Sequence, residues 1–230
     1  RVIHELDGKA LLADEVGLGK TIEAGLILKE LILRGEVENF LILVPASLGY
    51  QWWYELNNKF NIDLWYHRKS RGILYYDQLI ASLDTCKRKG TAEGLIEKGF
   101  DLIIVDEAHR LKNRKTLNWK FVNSLPAKYR LLLTATPVQN DLKELYNLIS
   151  VLRSDLFGSY KDFKQEYMKN KREAKNPQDL KEILTKVMIR NSRKESTLDF
   201  PERLVKLIQL ELTPEEKRLY DEVTTLVRDE

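Results

Sequence analysis

The hydrophobic pattern of the first 140 residues alternates between short apolar runs and longer segments with helical spacing. The runs Phe40–Val44, Asp101–Val105 and Tyr129–Leu133 have strand length and are mostly apolar. Such runs are typical of strands that are buried on both faces of a parallel sheet. Because helical segments separate them, as at residues 22–32, the pattern predicts an α/β fold with a doubly wound parallel sheet flanked by helices.

Several shorter segments give weaker signals of the same two kinds. The additional predictions are strands at Ala10–Ala13, Ile62–Tyr66 and Ile73–Tyr76, a helix that Ser47 caps and that runs to about Phe60, and a short helix from Asp77 through Leu83.

Beyond residue 141 amphipathic and highly charged helical stretches replace the strand runs, and we expect them to form a helical appendage on the sheet domain. The predicted elements are an amphipathic helix from Leu142 to Leu152, a charged helix over Lys161–Lys175, a helix from Pro177 to about Met188, a strand over Arg203–Leu212 and a last helix that a capping box opens at Thr213.

The composition fits one folded core and excludes several other classes of protein. The 230 residues are 43% hydrophobic and 32% charged, as in soluble globular chains. No apolar run approaches the roughly 20 residues of a membrane helix, so we expect no membrane partner. Cys86 is the single cysteine, which excludes an intrachain disulfide and fits a reducing cytosol. The net charge of +3 is too small to indicate a nucleic-acid partner by itself. The three histidines are scattered and do not have the spacing of metal ligands.

Candidate chemistry begins directly after the first predicted strand, where the chain makes a glycine turn and then continues as a helix. Gly17 and Gly19 allow the turn, and Lys20 and Thr21 follow at once. The N–H groups of such a turn and the positive end of the helix favour an anion, to which Lys20 adds a charge and Thr21 a hydroxyl suited to Mg²⁺. The strict phosphate-loop pattern is not met, because Asp14 holds the position of the first glycine. A glycine turn with a solvent-exposed lysine is the alternative.

A second signal is the acidic pair that follows the buried run ending at Val105. Asp106 and Glu107 stand where ligands of parallel α/β sheets bind, outside the carboxyl ends of the strands. One carboxylate there can hold Mg²⁺ while its neighbour polarises an attacking water; an acid pair that only caps a helix is the alternative. Together the two signals predict a nucleotide site whose phosphate-binding loop includes Asp14. In this site Lys20 bridges the β- and γ-phosphates, and the β-phosphate is surrounded by the N–H groups of Gly17, Leu18, Gly19 and Lys20. Thr21 and Asp106 coordinate Mg²⁺, and Glu107 is the general base.

These segments resemble the motifs of the Swi/Snf-type helicase-like ATPases of helicase superfamily two. In that family an aspartate stands at the position of Asp14, so the departure from the strict pattern is the family's own. The resemblance runs from residue 11 to about residue 220. It is carried by Leu12–Thr21 (LADEVGLGKT) as motif I, Leu43–Leu48 (LVPASL) with Gln51-Trp52 as motif Ia, Asp106–His109 (DEAH) as motif II and Leu132–Asn140 (LLTATPVQN) as motif III.

Further residues look like the bacterial and archaeal HepA/RapA-like branch of this family. Val16 and the run Ile22–Gly25 fit that branch, as does Phe200–Arg203. Asn191 stands where eukaryotic remodellers usually carry a second arginine. Association with RNA polymerase is known in the branch, so the resemblance makes RNA polymerase a candidate partner and the bacterial or archaeal cytoplasm, at the nucleoid, the expected location.

The resemblance implies a motor that uses ATP and Mg²⁺ to translocate on duplex DNA, with RNA as the alternative. In this family two RecA-like lobes close on ATP, and the second lobe supplies an arginine finger. Residues 1–140 are then a RecA-like ATP-binding lobe 1, residues 141–190 a helical protrusion, and residues 191–230 a return strand and the start of a linker towards lobe 2. Because the chain opens directly on helical-looking sequence, we expect it to be an excerpt. No later motif with an arginine finger follows, so we expect this excerpt to bind nucleotide weakly and to hydrolyse it negligibly.

The same resemblance assigns a coupling role to four residues of motifs II and III. They are expected to link the state of the nucleotide to nucleic-acid binding and to the opposite lobe. Without the other motifs, the sequence Thr-Ala-Thr-Pro would be an ordinary strand-to-turn segment. The four residues are His109, Thr134, Thr136 and Gln139.

Nucleic-acid contacts are predicted in two places. Ser47, Gln51 and Trp52 lie where motif Ia would meet a phosphate backbone, a contact that needs no reading of bases. Lys112 and Arg114 belong to the basic cluster that follows the acidic motif. The alternatives are that Trp52 packs in the core or at a hinge, and that the basic cluster is a solvated face.

Two other classes of function compete with a duplex translocase. One is a different superfamily-two motor, such as an unwinding helicase. The other is a docking module for RNA polymerase in which ATP binding is vestigial. The presence of Lys20, Thr21, Asp106 and Glu107 together argues against the second, because a vestigial site need not keep all four.

Overall fold

A computed structural model describes residues 1–137, 141–191 and 212–228. The chain divides into two compact units, of which the first spans residues 1–196 and the second residues 197–230. Within the described residues no helix is long and apolar enough to cross a membrane.

The first unit is built on a seven-stranded sheet in which every strand pairing is parallel. This confirms the predicted α/β architecture. The spatial order is β3-β4-β2-β5-β6-β1-β7. The strands are β1 (Lys9–Leu12), β2 (Phe40–Val44), β3 (Trp65–His67), β4 (Gln78–Ser82), β5 (Phe100–Val105), β6 (Ala127–Leu133) and β7 (Met188–Ile189).

Helices connect the strands and cover both faces of the sheet. They are α1 (Val2–Glu5), α2 (Lys20–Leu33), α3 (Gly49–Phe60), α4 (Leu83–Cys86), α5 (Thr91–Lys98), α6 (Leu117–Ser124), α7 (Leu142–Leu152), α8 (Tyr160–Tyr167) and α9 (Pro177–Thr185). In the second unit α10 spans Pro214–Arg228. Its predicted capping box is present, because Glu216 N donates to Thr213 Oγ1 at 3.3 Å and Thr213 N donates to Glu216 Oε2 at 2.9 Å.

Successive strand residues enter two separate hydrophobic clusters, one on each face of the sheet. In β2, Phe40 and Ile42 pack in the cluster that contains residues of α2 and α3, whereas Leu41 and Leu43 pack in the cluster that contains residues of α6 to α9. Every residue of β2 is buried. This is why the strand is apolar at each position and shows no alternation.

The sequence prediction was wrong between residues 73 and 83. Ile73–Tyr75 forms a short 3₁₀ turn rather than a strand, and Gln78–Ser82 is strand β4 rather than part of a helix. This stretch has only three consecutive apolar residues, Leu79, Ile80 and Ala81, which are too few to show a period that separates a buried strand from a buried helical turn. Its pairing between β3 and β2 decides the outcome.

Three further boundaries differ from the pattern. Helix α3 begins after Leu48, so Ser47 is not its cap. The charged helix ends at Tyr167, and Ala174 then bridges back to Met168. Strand β7, which the pattern did not predict, pairs with Leu11 and Leu12 of β1 at the sheet edge. The strand predicted over residues 203–212 lies outside the described residues except for Leu212.

Four aromatic rings hold α7 and α8 together. The ring centroid of Phe163 lies 5.2 Å from that of Tyr146, 4.8 Å from that of Phe157 and 5.6 Å from that of Tyr167. Phe163 is fully buried at the centre of the group. Helices α7 and α8 therefore pack around one side chain.

We predict that Phe163→Ala lowers the free energy of unfolding by about 3–5 kcal/mol, because it removes a buried ring and leaves a cavity. Chemical denaturation followed by circular dichroism measures the loss. Tyr75→Ala is the matched control, since 86% of the Tyr75 side chain is exposed. Equal losses in the two variants would show that the Phe163 ring does not hold α7 and α8 together.

Candidate functional site

The loop between β1 and α2 turns sharply at two glycines. Gly17 and Gly19 both have φ +87°, a left-handed conformation that strains other residues. Gly19 also caps α2, since its carbonyl accepts hydrogen bonds from Ile22 N at 2.8 Å and Glu23 N at 3.0 Å. The helix thus starts at Lys20, and its N-terminal N–H groups point towards the loop, as an anion-binding helix terminus requires.

Lys20 and Thr21 occupy the first turn of α2. Lys20 Nζ donates to the backbone carbonyls of Asp14 at 2.9 Å and Glu15 at 3.4 Å, so its ammonium lies over the loop. Lys20 is partly buried. The alternative interpretation, a glycine turn with a solvent-exposed lysine, is therefore not what the structure shows. The predicted loop residues are brought together at the carboxyl end of β1.

The strand register brings the acidic pair to the same edge of the sheet. Val105 of β5 pairs with Leu132 of β6, which in turn pairs with Leu11 of β1. The carboxyl ends of β1 and β5 are therefore level and two strands apart, which is about 10 Å at the usual strand spacing. Asp106 follows β5 directly, and its N–H continues the ladder by donating to Leu43 O at 2.8 Å.

Both carboxylate oxygens of Asp106 accept hydrogen bonds. Trp52 Nε1 donates to Oδ2 at 2.9 Å, and the backbone N–H of Glu107 donates to Oδ1 at 2.8 Å. Glu107 itself has φ +50° and ψ +48°, a region that costs a non-glycine residue about 1–3 kcal/mol and is concentrated at functional sites. His109 Nδ1 lies 2.9 Å from Glu107 Oε2, so the histidine orients the glutamate that the sequence identifies as the base.

Asp14, the residue that breaks the strict glycine pattern, is a buried carboxylate with a distant partner. Only 3% of its surface is exposed. Its Oδ1 accepts from the backbone N of Asn191 at 2.7 Å, and the side-chain Nδ2 of Asn191 donates to Oδ1 at 3.1 Å and to Oδ2 at 3.0 Å. Asn191 stands just after β7, so the loop that follows β1 is hydrogen-bonded to the end of the last strand of the sheet.

Glu23 places a second carboxyl group beside Asp14. Its Oε2 is buried and has no hydrogen-bond partner among the described residues. Burial first, and then the charge of Asp14, raises the pKa of Glu23 to about 7, although Lys20 acts in the opposite direction. The first turn of α2 therefore carries a carboxyl group that holds a proton more readily than usual.

Two of the predicted coupling residues, Thr134 and Thr136, follow β6, the strand that lies between β5 and β1 in the sheet. Thr134 is buried and follows β6, where its N–H donates to Leu12 O of β1 at 3.0 Å. Its Oγ1 accepts from Thr136 N at 3.2 Å, which closes the turn. Gln139 lies outside the described residues, as do Val138 and Asn140.

The predicted nucleic-acid residues divide into two groups. Ser47 and Gln51 are exposed at the start of α3. Trp52 is only 1% exposed, so direct contact with a phosphate backbone would require α3 to move. Lys112 Nζ lies 3.5 Å from Glu144 Oε1. The guanidinium of Arg114 lies over the rings of Trp119 and Tyr146, with its carbon 4.7 and 5.1 Å from their centroids, and this packing gives it a structural role.

Sequence reasoning missed three contacts of the site. It did not identify Asn191 as the partner of Asp14, Trp52 as a donor to Asp106, or Glu23 as the second carboxyl group. The only local signal was the helical spacing that places Glu23 in the first turn of α2. Among the described residues, no group of three or more His, Cys, Asp or Glu side chains is arranged so that it could hold a metal ion.

Comparisons with known proteins agree on one family. The model of the SNF2-related domain matches residues 4–229. The chain is 46% identical over 226 residues to the uncharacterized ATP-dependent helicase YqhH of Bacillus subtilis (strain 168), which covers 98% of this chain and 41% of that protein. It is 38% identical over 178 residues to the RNA polymerase-associated protein RapA of Pasteurella multocida (strain Pm70), with 69% of this chain and 18% of that protein covered.

A solved structure gives the same assignment. The Sulfolobus solfataricus SWI2/SNF2 ATPase core in complex with dsDNA superposes with a TM-score of 0.74 and 27% identity. The alignment covers 99% of this chain and 50% of that one. The chain thus spans half or less of the length of these relatives.

We predict that Asn191→Ala lowers the free energy of unfolding by about 1–3 kcal/mol, because the buried carboxylate of Asp14 loses its two side-chain hydrogen bonds. Asn191→Asp should cost more, since it places a second carboxylate against the first. Asn58→Ala is the control: Asn58 is exposed on α3, and its side chain donates to Tyr54 O in its own helix. Urea denaturation measures all three, and an Asn191→Ala midpoint equal to that of the control would argue against the tie.

Proposed function

This chain belongs to the SNF2-related domain family, and we propose that it is the ATP-binding lobe of a Swi/Snf-type ATPase that translocates on duplex nucleic acid and remodels protein–nucleic acid complexes. One observation carries the proposal. The loop with Lys20 and Thr21 follows β1, and the acidic pair Asp106-Glu107 follows β5. The carboxyl ends of these two strands lie level at one edge of the sheet. A phosphate-binding loop opposite a carboxylate pair is the arrangement that phosphoryl transfer requires.

The residues present fit ATP and Mg²⁺. In the proposed mode the N–H groups of the loop, from Gly17 to Lys20, surround the β-phosphate. Lys20 exchanges the carbonyls of Asp14 and Glu15 for the β- and γ-phosphates. The Thr21 hydroxyl and the Asp106 carboxylate supply oxygen ligands, the kind that Mg²⁺ prefers. Bound Mg²⁺ would neutralise charge that develops on the phosphates.

Glu107 is proposed to orient and deprotonate the attacking water. Its backbone is in the αL conformation, and Nδ1 of His109 lies 2.9 Å from one of its carboxylate oxygens. We propose that His109, together with Thr134, Thr136 and Gln139, transmits the state of the nucleotide to the nucleic acid and to a second lobe. The bond from Thr134 N to β1 supports this assignment for the threonines.

A second RecA-like lobe is the proposed partner of this lobe. The SNF2-family relatives are at least twice as long as the aligned part of this chain, which leaves room for it. If that lobe supplies an arginine to the γ-phosphate, the 230-residue chain binds nucleotide but hydrolyses it negligibly.

Duplex DNA is the proposed track. A SWI2/SNF2 core that resembles this chain has been solved with dsDNA. The exposed Ser47 and Gln51 and the charged Lys112 are the proposed backbone contacts, with Arg114 as a further candidate and Trp52 behind them in the core. Relatives named as RNA polymerase-associated proteins make RNA polymerase at the nucleoid a second proposed partner.

We predict that Lys20→Ala weakens binding of a fluorescent ATP analogue in Mg²⁺ more than tenfold, because a charge-assisted hydrogen bond of about 1.5–3 kcal/mol is lost. Glu107→Gln should bind the analogue as the unmodified protein does. In the longer protein that carries both lobes, neither variant should turn ATP over. Lys128→Ala, at the amino end of β6, is the control and should change neither quantity. Near-normal hydrolysis by Glu107→Gln would disprove its role as base.

We predict that duplex DNA binding weakens steeply as salt rises, because cations on a phosphate-binding surface displace counterions. Lys112→Ala should lower the affinity and the salt slope, whereas Lys128→Ala should leave both unchanged. Fluorescence anisotropy of a labelled duplex measures them, with single-stranded DNA and duplex RNA as competitors. Affinity that is independent of salt would contradict the proposed surface, and stronger competition by RNA would identify RNA as the track.

A further inference from the structure

Trp52 makes a contact that its burial alone does not require. Its ring is packed among the hydrophobic residues beneath α2 and α3, and 1% of its surface is exposed. A buried indole N–H needs an acceptor, and many carbonyls could serve. Here the acceptor is Oδ2 of Asp106, 54 residues further along the chain, at 2.9 Å.

The start of α3 is held in a fixed position relative to Asp106. Trp52 lies in its first turn and donates its backbone N–H to Leu48 O at 3.0 Å. Gly49 lies so close to the ring of Tyr66 that a side chain would not fit there. The strands that precede the two partners, β2 and β5, are hydrogen-bonded neighbours. The indole and the carboxylate therefore belong to one rigid corner of the sheet.

The two hydrogen bonds on Asp106 leave part of its acceptor capacity for a metal ion. A carboxylate has about four lone-pair sites, and the indole of Trp52 and the N–H of Glu107 occupy one on each oxygen. Because the two donors approach different oxygens, they fix the rotation of the carboxylate plane. The sites that remain are then held in fixed directions, as outer partners of metal ligands usually ensure.

We propose that Trp52 is a positioning residue that orients the Asp106 carboxylate for Mg²⁺, through its indole N–H rather than through its bulk. The inference rests on the proposed function, since it concerns the metal ligand of that same site. It assigns to the tryptophan of motif Ia a task inside the nucleotide site. Nucleic acid is not needed for that task.

The alternative is that Trp52 only fills the core. Trp119 provides the comparison, because it is also buried and its Nε1 donates to Asn147 O at 3.0 Å on α7, in the opposite hydrophobic cluster. A purely structural tryptophan should behave as Trp119 does when its N–H is removed. A positioning tryptophan should also change the response to Mg²⁺.

The test compares two ways of removing the N–H of Trp52. Trp52→Phe also removes ring volume, whereas 3-benzothienylalanine at position 52 keeps the ring and replaces N–H by sulfur. Binding of a fluorescent ATP analogue is titrated with Mg²⁺ in each protein. We expect the Mg²⁺ midpoint to rise about tenfold or more with both replacements, and Trp119→Phe to leave it unchanged.

A second measurement does not depend on nucleotide. In protein with ¹⁵N-labelled tryptophan, the indole N–H signal of Trp52 should move in Asp106→Asn and on addition of Mg²⁺ alone, while that of Trp119 stays in place. A Trp52 signal that responds to neither, or an unchanged Mg²⁺ midpoint in the benzothienyl protein, would overturn the inference. If the unmodified protein bound no nucleotide at all, the proposed function would fail. The indole signal would still decide whether the N–H of Trp52 responds to the Asp106 carboxylate and to Mg²⁺.

Discussion

The parallel register of β1, β6, β5 and β2 is the constraint on which the site depends. It brings the carboxyl ends of four strands to one edge, so that the loop after β1, Thr134 after β6, Asp106 after β5 and the start of α3 after β2 meet there. Each of these segments is separated from the next by a helix and by tens of residues. A shift of one residue in any pairing would turn the strand's side chains to the other face and remove its residue from the edge.

The sheet can hold this register because its buried strand residues are almost all apolar. Both faces are covered, and the strands contribute to two clusters that together contain residues of nearly every helix of the first unit. Polar side chains are therefore concentrated where the strands end. Of the few buried polar residues, Asp14 and Thr134 both lie at that edge. Each has its partner there, as a buried polar group requires.

The buried carboxylate of Asp14 links the loop after β1 to the neighbouring strand β7, the last strand in the order of the sheet. In the usual phosphate loop a glycine at this position would need no partner, whereas an aspartate in the core needs hydrogen bonds to balance its desolvation. Asn191 supplies three of them from the residue that follows β7. The loop after β1 therefore depends on a strand that enters the sheet only after helices α7 to α9. The sheet and these helices belong to one compact unit, residues 1–196.

The sequence by itself determined the features that are encoded within a few residues. The long apolar runs specified β2, β5 and β6, the glycines specified the turn before Lys20, and the order of the motifs specified the SNF2 family. Only the tertiary structure decided what depends on a partner elsewhere. Whether residues 78–82 form a strand was settled by β2 and β3, and the short β7 exists because β1 offers it an open edge. Trp52 and Asp106 are 54 residues apart and Asp14 and Asn191 are 177 apart, so no local period could reveal either hydrogen bond.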